Sequence, residues 1–203
     1  MEIQSDKFNF GNRKNRSEKD AVAYLRTLLD KPVSSKFILE IETSKFFNKI
    51  SHEFIMNNTP ICHKNVLKEW IKSGYVYNNK LYKTEEGIMS LSCGIIYGML
   101  GNIAINGLEN AVRKEIPARK IINGSLPKVN IIIFGSAIIV TGVSIAILNK
   151  VKLIIENFLI SRSGSKSEII KTRIVSIYDL PLPLHIYICR GGSPGLPWAP
   201  LLY

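Results

Sequence analysis

Phe37-Ile-Leu-Glu-Ile-Glu42-Thr-Ser-Lys-Phe46-Phe47-Asn48-Lys-Ile-Ser51-His52-Glu53 begins with a short apolar run and ends in polar residues suited to starting a helix. By length and content, Phe37 to Glu42 reads as a buried strand, and Ser51 to Met56 as a short helix. Further along, Val129-Asn-Ile-Ile-Ile133-Phe134-Gly135-Ser136-Ala137-Ile-Ile-Val-Thr-Gly142 is rich in β-branched residues and broken by Gly135-Ser136. That is the pattern of a strand, a tight turn and a second strand. Strands of this kind stand among helical segments, so the chain is expected to mix α and β structure.

Outward from these stretches, residues 1–16 form a polar, basic N-terminal arm carrying Arg13, Lys14 and Arg16. Ser17 offers an N-cap with Asp20 as its capping-box partner. Ala21, Val22, Leu25, Leu28 and Leu29 follow at helical spacing, and Lys31-Pro32 ends that helix. Lys64 to Ser73 predicts a helix with Val66, Leu67, Trp70 and Ile71 on one face, stopped by Gly74. Tyr75 to Lys83 predicts a hairpin turning at Asn78-Asn79. Glu109 to Glu115 is helical and of mixed charge, and Pro117 to Pro127 is a basic loop containing Arg119 and Lys120. Leu148, Val151, Ile155, Phe158 and Leu159 mark an amphipathic helix closed near Gly164, and Lys171 to Ile177 alternates as a strand. The main domain is thus expected over residues 17–179. Residues 180–203 hold Pro181, Pro183, Pro194, Pro197 and Pro200 and predict an extended tail.

The 203 residues carry 27 Lys and Arg against 16 Asp and Glu, a formal charge of +11, which favours a polyanionic partner through counterion release. Cys62, Cys93 and Cys189 have no CxxC pair or metal-ligand spacing, and this argues against disulfides and zinc. No signal core or transit pattern opens the sequence. Lysine outnumbers arginine 19 to 8, a bias AT-rich codons produce, and points to an organelle-encoded gene. Residues 88–108 and 129–149 are uncharged and long enough to span a bilayer, so a two-pass membrane protein stands as an alternative.

In order, these pieces resemble the fingers and palm of a group II intron reverse transcriptase of the maturase type. Phe10-Gly-Asn-Arg13-Lys-Asn-Arg16-Ser17-Glu-Lys-Asp20-Ala21 resembles the family's Tyr-Gly-Phe-Arg-Pro-Gly-Arg-Ser-x-x-Asp-Ala box. Phe37 to Glu53 resembles its first catalytic strand and the Phe-Phe-Asp-x-Ile-x-His element. Leu67-Lys-Glu-Trp70-Ile71-Lys-Ser-Gly74 is similar to the Trp-Leu-Lys-x-Gly helix, Gly94 to Glu109 to the stretch after Pro-Gln-Gly-Gly, and Lys171-Thr172-Arg173-Ile174 to a later palm strand. Together these cover about residues 9–177. The resemblance implies an α+β, reverse-transcriptase-like fingers/palm fold with helices packed on a small antiparallel sheet. No counterpart of the family's thumb or maturase domain is expected.

The departures fall on the chemistry. Glu42 stands for the first metal-binding Asp, Asn48 for the Asp after the paired phenylalanines, Met89-Ser-Leu-Ser-Cys-Gly94 for Gly-Thr-Pro-Gln-Gly-Gly, and Phe134-Gly135-Ser136-Ala137 for Tyr-Ala-Asp-Asp. Two magnesium ions need hard anionic oxygen ligands, which Ser136 and Ala137 lack. A non-enzymatic protein without metal or cofactor is expected: an RNA-binding scaffold in an organellar, most simply mitochondrial, ribonucleoprotein such as the ribosome. The alternative within the family is an accessory fragment of a split maturase that aids splicing. The expected partners are structured rRNA or intron RNA and neighbouring proteins. The candidate RNA-binding residues are Arg13, Lys14, Arg16, Lys19, Lys80, Lys83, Arg113, Lys114, Arg119, Lys120 and Lys128, with Tyr75, Tyr77 and Tyr82 as stacking candidates. His52 is expected as a structural histidine, and Glu42 as a relic acid available to a lysine.

Overall fold

The computed structural model describes residues 6–30, 35–88, 95–117, 128–163 and 170–179. Several expectations lie outside these residues: the Lys31-Pro32 helix end, Met89–Gly94, Arg119, Lys120, Gly164, Cys93, Cys189, the tail 180–203 and the side chain of Tyr77.

The first quoted stretch folds as strand β1 (Phe37–Glu42), a one-turn helix α2 (Ser44–Phe47) and helix α3 (His52–Asn58). Before it comes α1 (Glu18–Leu29), whose Ser17 cap and Asp20 form the reciprocal capping box: Ser17 N donates to Asp20 Oδ2 at 2.7 Å, and Asp20 N to Ser17 Oγ at 3.3 Å. After it come α4 (Lys64–Lys72) and a hairpin of β2 (Tyr75–Tyr77) and β3 (Lys80–Tyr82). Asn78 and Asn79 have φ of 49° and 57°, the left-handed pair that a two-residue turn requires. Helix α5 (Ile95–Ile105) is followed directly by α6 (Leu108–Glu115), the break falling at Gly107 with φ 85°.

The second quoted stretch is the hairpin of β4 (Asn130–Phe134) and β5 (Ala137–Gly142), turning at Gly135 with φ 58°. Helix α7 (Ile145–Ile160) and strand β6 (Lys171–Ser176) complete the domain. Residues 129–149, weighed above as a bilayer span, thus hold a β-hairpin and the start of a helix. Among the described residues no helix is long and apolar enough to cross a membrane.

The four-stranded sheet has the order β4-β5-β1-β6 with every neighbouring pair antiparallel. Helices α5 and α6 lie between β1 and β4 in sequence, and α7 between β5 and β6, so the core is a split βαβ arrangement. Helices pack on one face of the sheet, where Leu39, Ile41, Ile131, Ile133, Ile138 and Val140 meet α5, α6 and α7. Helix α1 and the arm cover the other face, with Phe10, Val22 and Leu25 against Ile38, Ile132 and Ile139. β1 is therefore covered on both faces, which is why Ile38, Leu39 and Ile41 put apolar side chains on both of its sides around Glu40. Each such Leu or Ile contributes about 1.5–3 kcal/mol through burial.

One expected face does not hold. On α4 only Leu67 and Ile71 are buried, while Val66 and Trp70 point to solvent. Helical spacing alone admits all four into one apolar stripe, but α4 packs mainly against the short α3, which covers a narrower band.

Candidate nucleic-acid interface

The arm belongs to the sheet. Phe10 N donates to Ile133 O at 2.8 Å and Ile133 N to Phe8 O at 3.0 Å, which lays residues 8–10 parallel to β4 along its outer edge. The buried Asn9 then binds helix α5: its Nδ2 donates to Asn102 Oδ1 at 3.0 Å, its Oδ1 accepts from Gly11 N at 3.0 Å, and Asn102 Nδ2 donates to Gly11 O at 3.0 Å. Below, the Asp6 carboxylate accepts from Gly107 N and Glu109 N, both at 3.1 Å, and so caps α6. Side-chain amides and a cap carboxylate thus fix the turn that carries the basic residues.

Four of the stretches that carried the resemblance meet here. Asn12 from the arm, Phe47 from α2, Tyr97, Gly98, Gly101 and Asn102 from α5, and Gly135 and Ser136 from the β4–β5 turn line one pocket of about 110 Å³. Close backbone approach makes it. A Cβ on Gly11 would stand 2.5 Å from Gly135 N, and one on Gly98 would run into the Asn12 side chain. Phe47 and Tyr97 form an edge-on pair 6.1 Å apart, and burial pushes the Tyr97 hydroxyl up to about 12, so it stays a neutral donor. No lining side chain carries a charge at neutral pH.

Glu42 ends β1 beside the turn, with Ala137 as its register partner on β5 and Lys171 on β6. Its Oε1 accepts from Ser44 Oγ at 2.5 Å and its Oε2 lies 3.7 Å from Lys171 Nζ, so the carboxylate has a lysine partner, as expected of it. Thr43 clamps the neighbouring turn, with both its N and its Oγ1 donating to Ser136 O at 2.8 Å. Among the described residues no group of three or more His, Cys, Asp or Glu is placed to hold a metal ion.

The basic candidates divide by location. Lys14, Arg16 and Lys19 are exposed on the arm and the first turn of α1, and the Arg16 guanidinium lies 4.9 Å above the Phe10 ring. Arg13 sits lower: its Nη1 donates to the carbonyls of Asp6 at 3.2 Å and Asn9 at 3.1 Å, so part of its fork braces the arm. On α6, Lys114 is exposed, while Arg113 Nε lies 3.6 Å from Glu109. Lys128 enters β4 with φ 41°. Lys80 and Lys83 belong to the β2–β3 hairpin, a separate small sheet, where Tyr75 and Tyr82 stack on each other at 5.1 Å. His52 is fixed by Nε2 donating to Gly87 O at 2.9 Å, and its Nδ1 is buried with no partner among the described residues.

Three groups escaped the sequence reading. Asn102 was seen only as a member of a longer box, and Asn9 fell just before the first one. Arg162, half-buried, stacks 3.6 Å from the Phe158 ring, and its Nη1 donates to Ala104 O at 2.7 Å and Asn106 O at 2.8 Å, closing the C-terminus of α5. Burial pulls this guanidinium down to about 10, while the Asp6 carboxylate opposes the shift. Its only sequence signal is a basic residue after an apolar helix. No known family model matches this chain, and no curated protein is significantly similar to it.

Proposed function

We propose that this chain is a catalytically inactive RNA-binding scaffold, derived from the fingers and palm of a group II intron reverse transcriptase, and that it serves an organellar ribonucleoprotein such as the mitochondrial ribosome. The observation that carries this reading is a register. The two stretches that resemble catalytic strands pair side by side, with Glu42 opposite Ala137, as strands that once shared a pair of metal ions must. Two of the other resembling segments, the arm through Asn12 and α5 through Tyr97, Gly98, Gly101 and Asn102, line the adjoining pocket.

The same site argues against nucleotide transfer. Its lining is neutral, and the one adjoining carboxylate is engaged by Ser44 and Lys171. A single acid cannot hold the two-ion geometry that in-line displacement uses. The neighbouring cations Lys14, Arg16 and Lys19 keep the charge that lets a surface lie against folded RNA, where backbone contacts and shape count for more than base identity.

Primer extension with Mg²⁺ or Mn²⁺ should give no product, and a product lost on Glu42→Ala would overturn the reading. Affinity for structured RNA should fall with salt, by about 0.7–0.9 of the number of phosphates contacted on a log-log plot. Arg16→Glu with Lys19→Glu should weaken binding about tenfold at low salt. Binding that ignores both salt and these charges would rule out the scaffold.

A further inference from the structure

Helix α4 and the β2–β3 hairpin carry apolar surface that the fold leaves uncovered. Val76 and Leu81 are register partners across the hairpin, so they share a face, and they are 70% and 67% exposed. A two-stranded hairpin is marginal in water, and this one is braced internally by the Tyr75–Tyr82 stack one register step away. On α4, Val66 and Trp70 sit one turn apart and are 43% and 53% exposed. Four large apolar side chains turned to solvent within a unit this small mark an interaction surface.

The charges around them select the partner. Residues 64–83 hold five lysines, Lys64, Lys68, Lys72, Lys80 and Lys83, against one acid, Glu69. The Lys64 ammonium donates to the carbonyls of Met56 and Thr59, whereas Lys68, Lys72, Lys80 and Lys83 are exposed. Branched aliphatic side chains such as Val76 and Leu81 give a base no flat face to stack on. They do fit an apolar protein side chain, and an exposed tryptophan is the residue type that anchors protein interfaces.

We propose that the α4–hairpin unit is a docking surface for an acidic, apolar-faced segment of a neighbouring protein. Lys80 and Lys83 are then rim groups that steer this segment, with RNA contacts left to the arm and α1. The surface does not depend on RNA binding elsewhere on the chain.

The test places the photo-crosslinker p-benzoylphenylalanine at Val76 of the full chain in its native extract and sequences the crosslinked peptide. The expected adduct is a protein segment in which Asp and Glu outnumber Lys and Arg. Leu81→Asp, and separately Lys68→Glu with Lys80→Glu, should each cut adduct yield at least fivefold without shifting the thermal midpoint, because all three residues are exposed. An adduct to RNA, to a second copy of this chain or to a basic segment, or no adduct at all, overturns the proposal. Salt elution of RNA from the same extract reports separately on the scaffold reading.

Discussion

Glu40 lies mid-strand on β1, 8% exposed, with Ile139 as its register partner on one side and Arg173 on the other. Burial raises its carboxyl to about 7, and the Arg173 charge offsets only part of that rise. Unfolded, the carboxyl ionises near 4.5, so between 4.5 and about 7 the folded chain binds more protons than the unfolded one. Its contribution to stability is therefore present below that window and is lost as pH rises through it, by on the order of 3 kcal/mol. Glu40→Gln should flatten this slope and make the protein more stable than wild type at pH 8, as read by denaturant titration at pH 5.5 and pH 8. Equal slopes would show that Glu40 does not titrate in the fold. The sequence placed this residue in a buried strand but gave no hint that its carboxyl is buried. That follows only once β6 is known to lie beside β1. Glu42, two residues on, was legible because it ends the strand, where solvent and a lysine can reach it.

Elements whose identity rests on local chemistry were the readable ones. The capping box of α1, the Asn-Asn turn of the hairpin and the Gly135 turn are set by neighbours in sequence, and each fell where propensity put it. Contacts between distant elements were not readable, among them the joining of the arm to α5 and the closing of that helix by Arg162. Gly11 and Gly98 test the first of these. Gly11→Ala drives a Cβ into the backbone of Gly135, which cannot yield without opening the turn, and should cost about 2 kcal/mol or more. Gly98→Ala sets its Cβ 2.7 Å from Asn12 Cβ, which moves only with the backbone of the arm, and should cost about as much. Thermal melts of the two variants check both losses. Helix α4 shows the opposite limit: its spacing was right, yet Val66 and Trp70 face water because the spacing does not say how much partner surface is present.

At the scale of the molecule, the sheet has one edge covered by the arm and two faces filled, one by α5, α6 and α7 and the other by α1 with the arm. The α+β class was expected from the resemblance; the pairing of the two quoted stretches and the split βαβ order were not read, because register is set by long-range packing. Deleting residues 1–12 should uncover the outer edge of β4, remove Phe8 and Phe10 from the second core and free the α6 cap. It should lower the thermal midpoint by at least 8 °C and lead to concentration-dependent self-association, read by melts and light scattering. An unchanged melt would mean that the arm contributes nothing to the sheet. The arm's partners are late in the chain: Asn9 bonds a residue 93 positions on, Asp6 one 103 positions on, and Phe10 pairs with Ile133. During synthesis Phe8 and Phe10 can meet only the nearby Tyr24 and α1 at first, and their seat on the sheet edge opens only once β4 has been made, so the arm is among the last parts of the domain to settle.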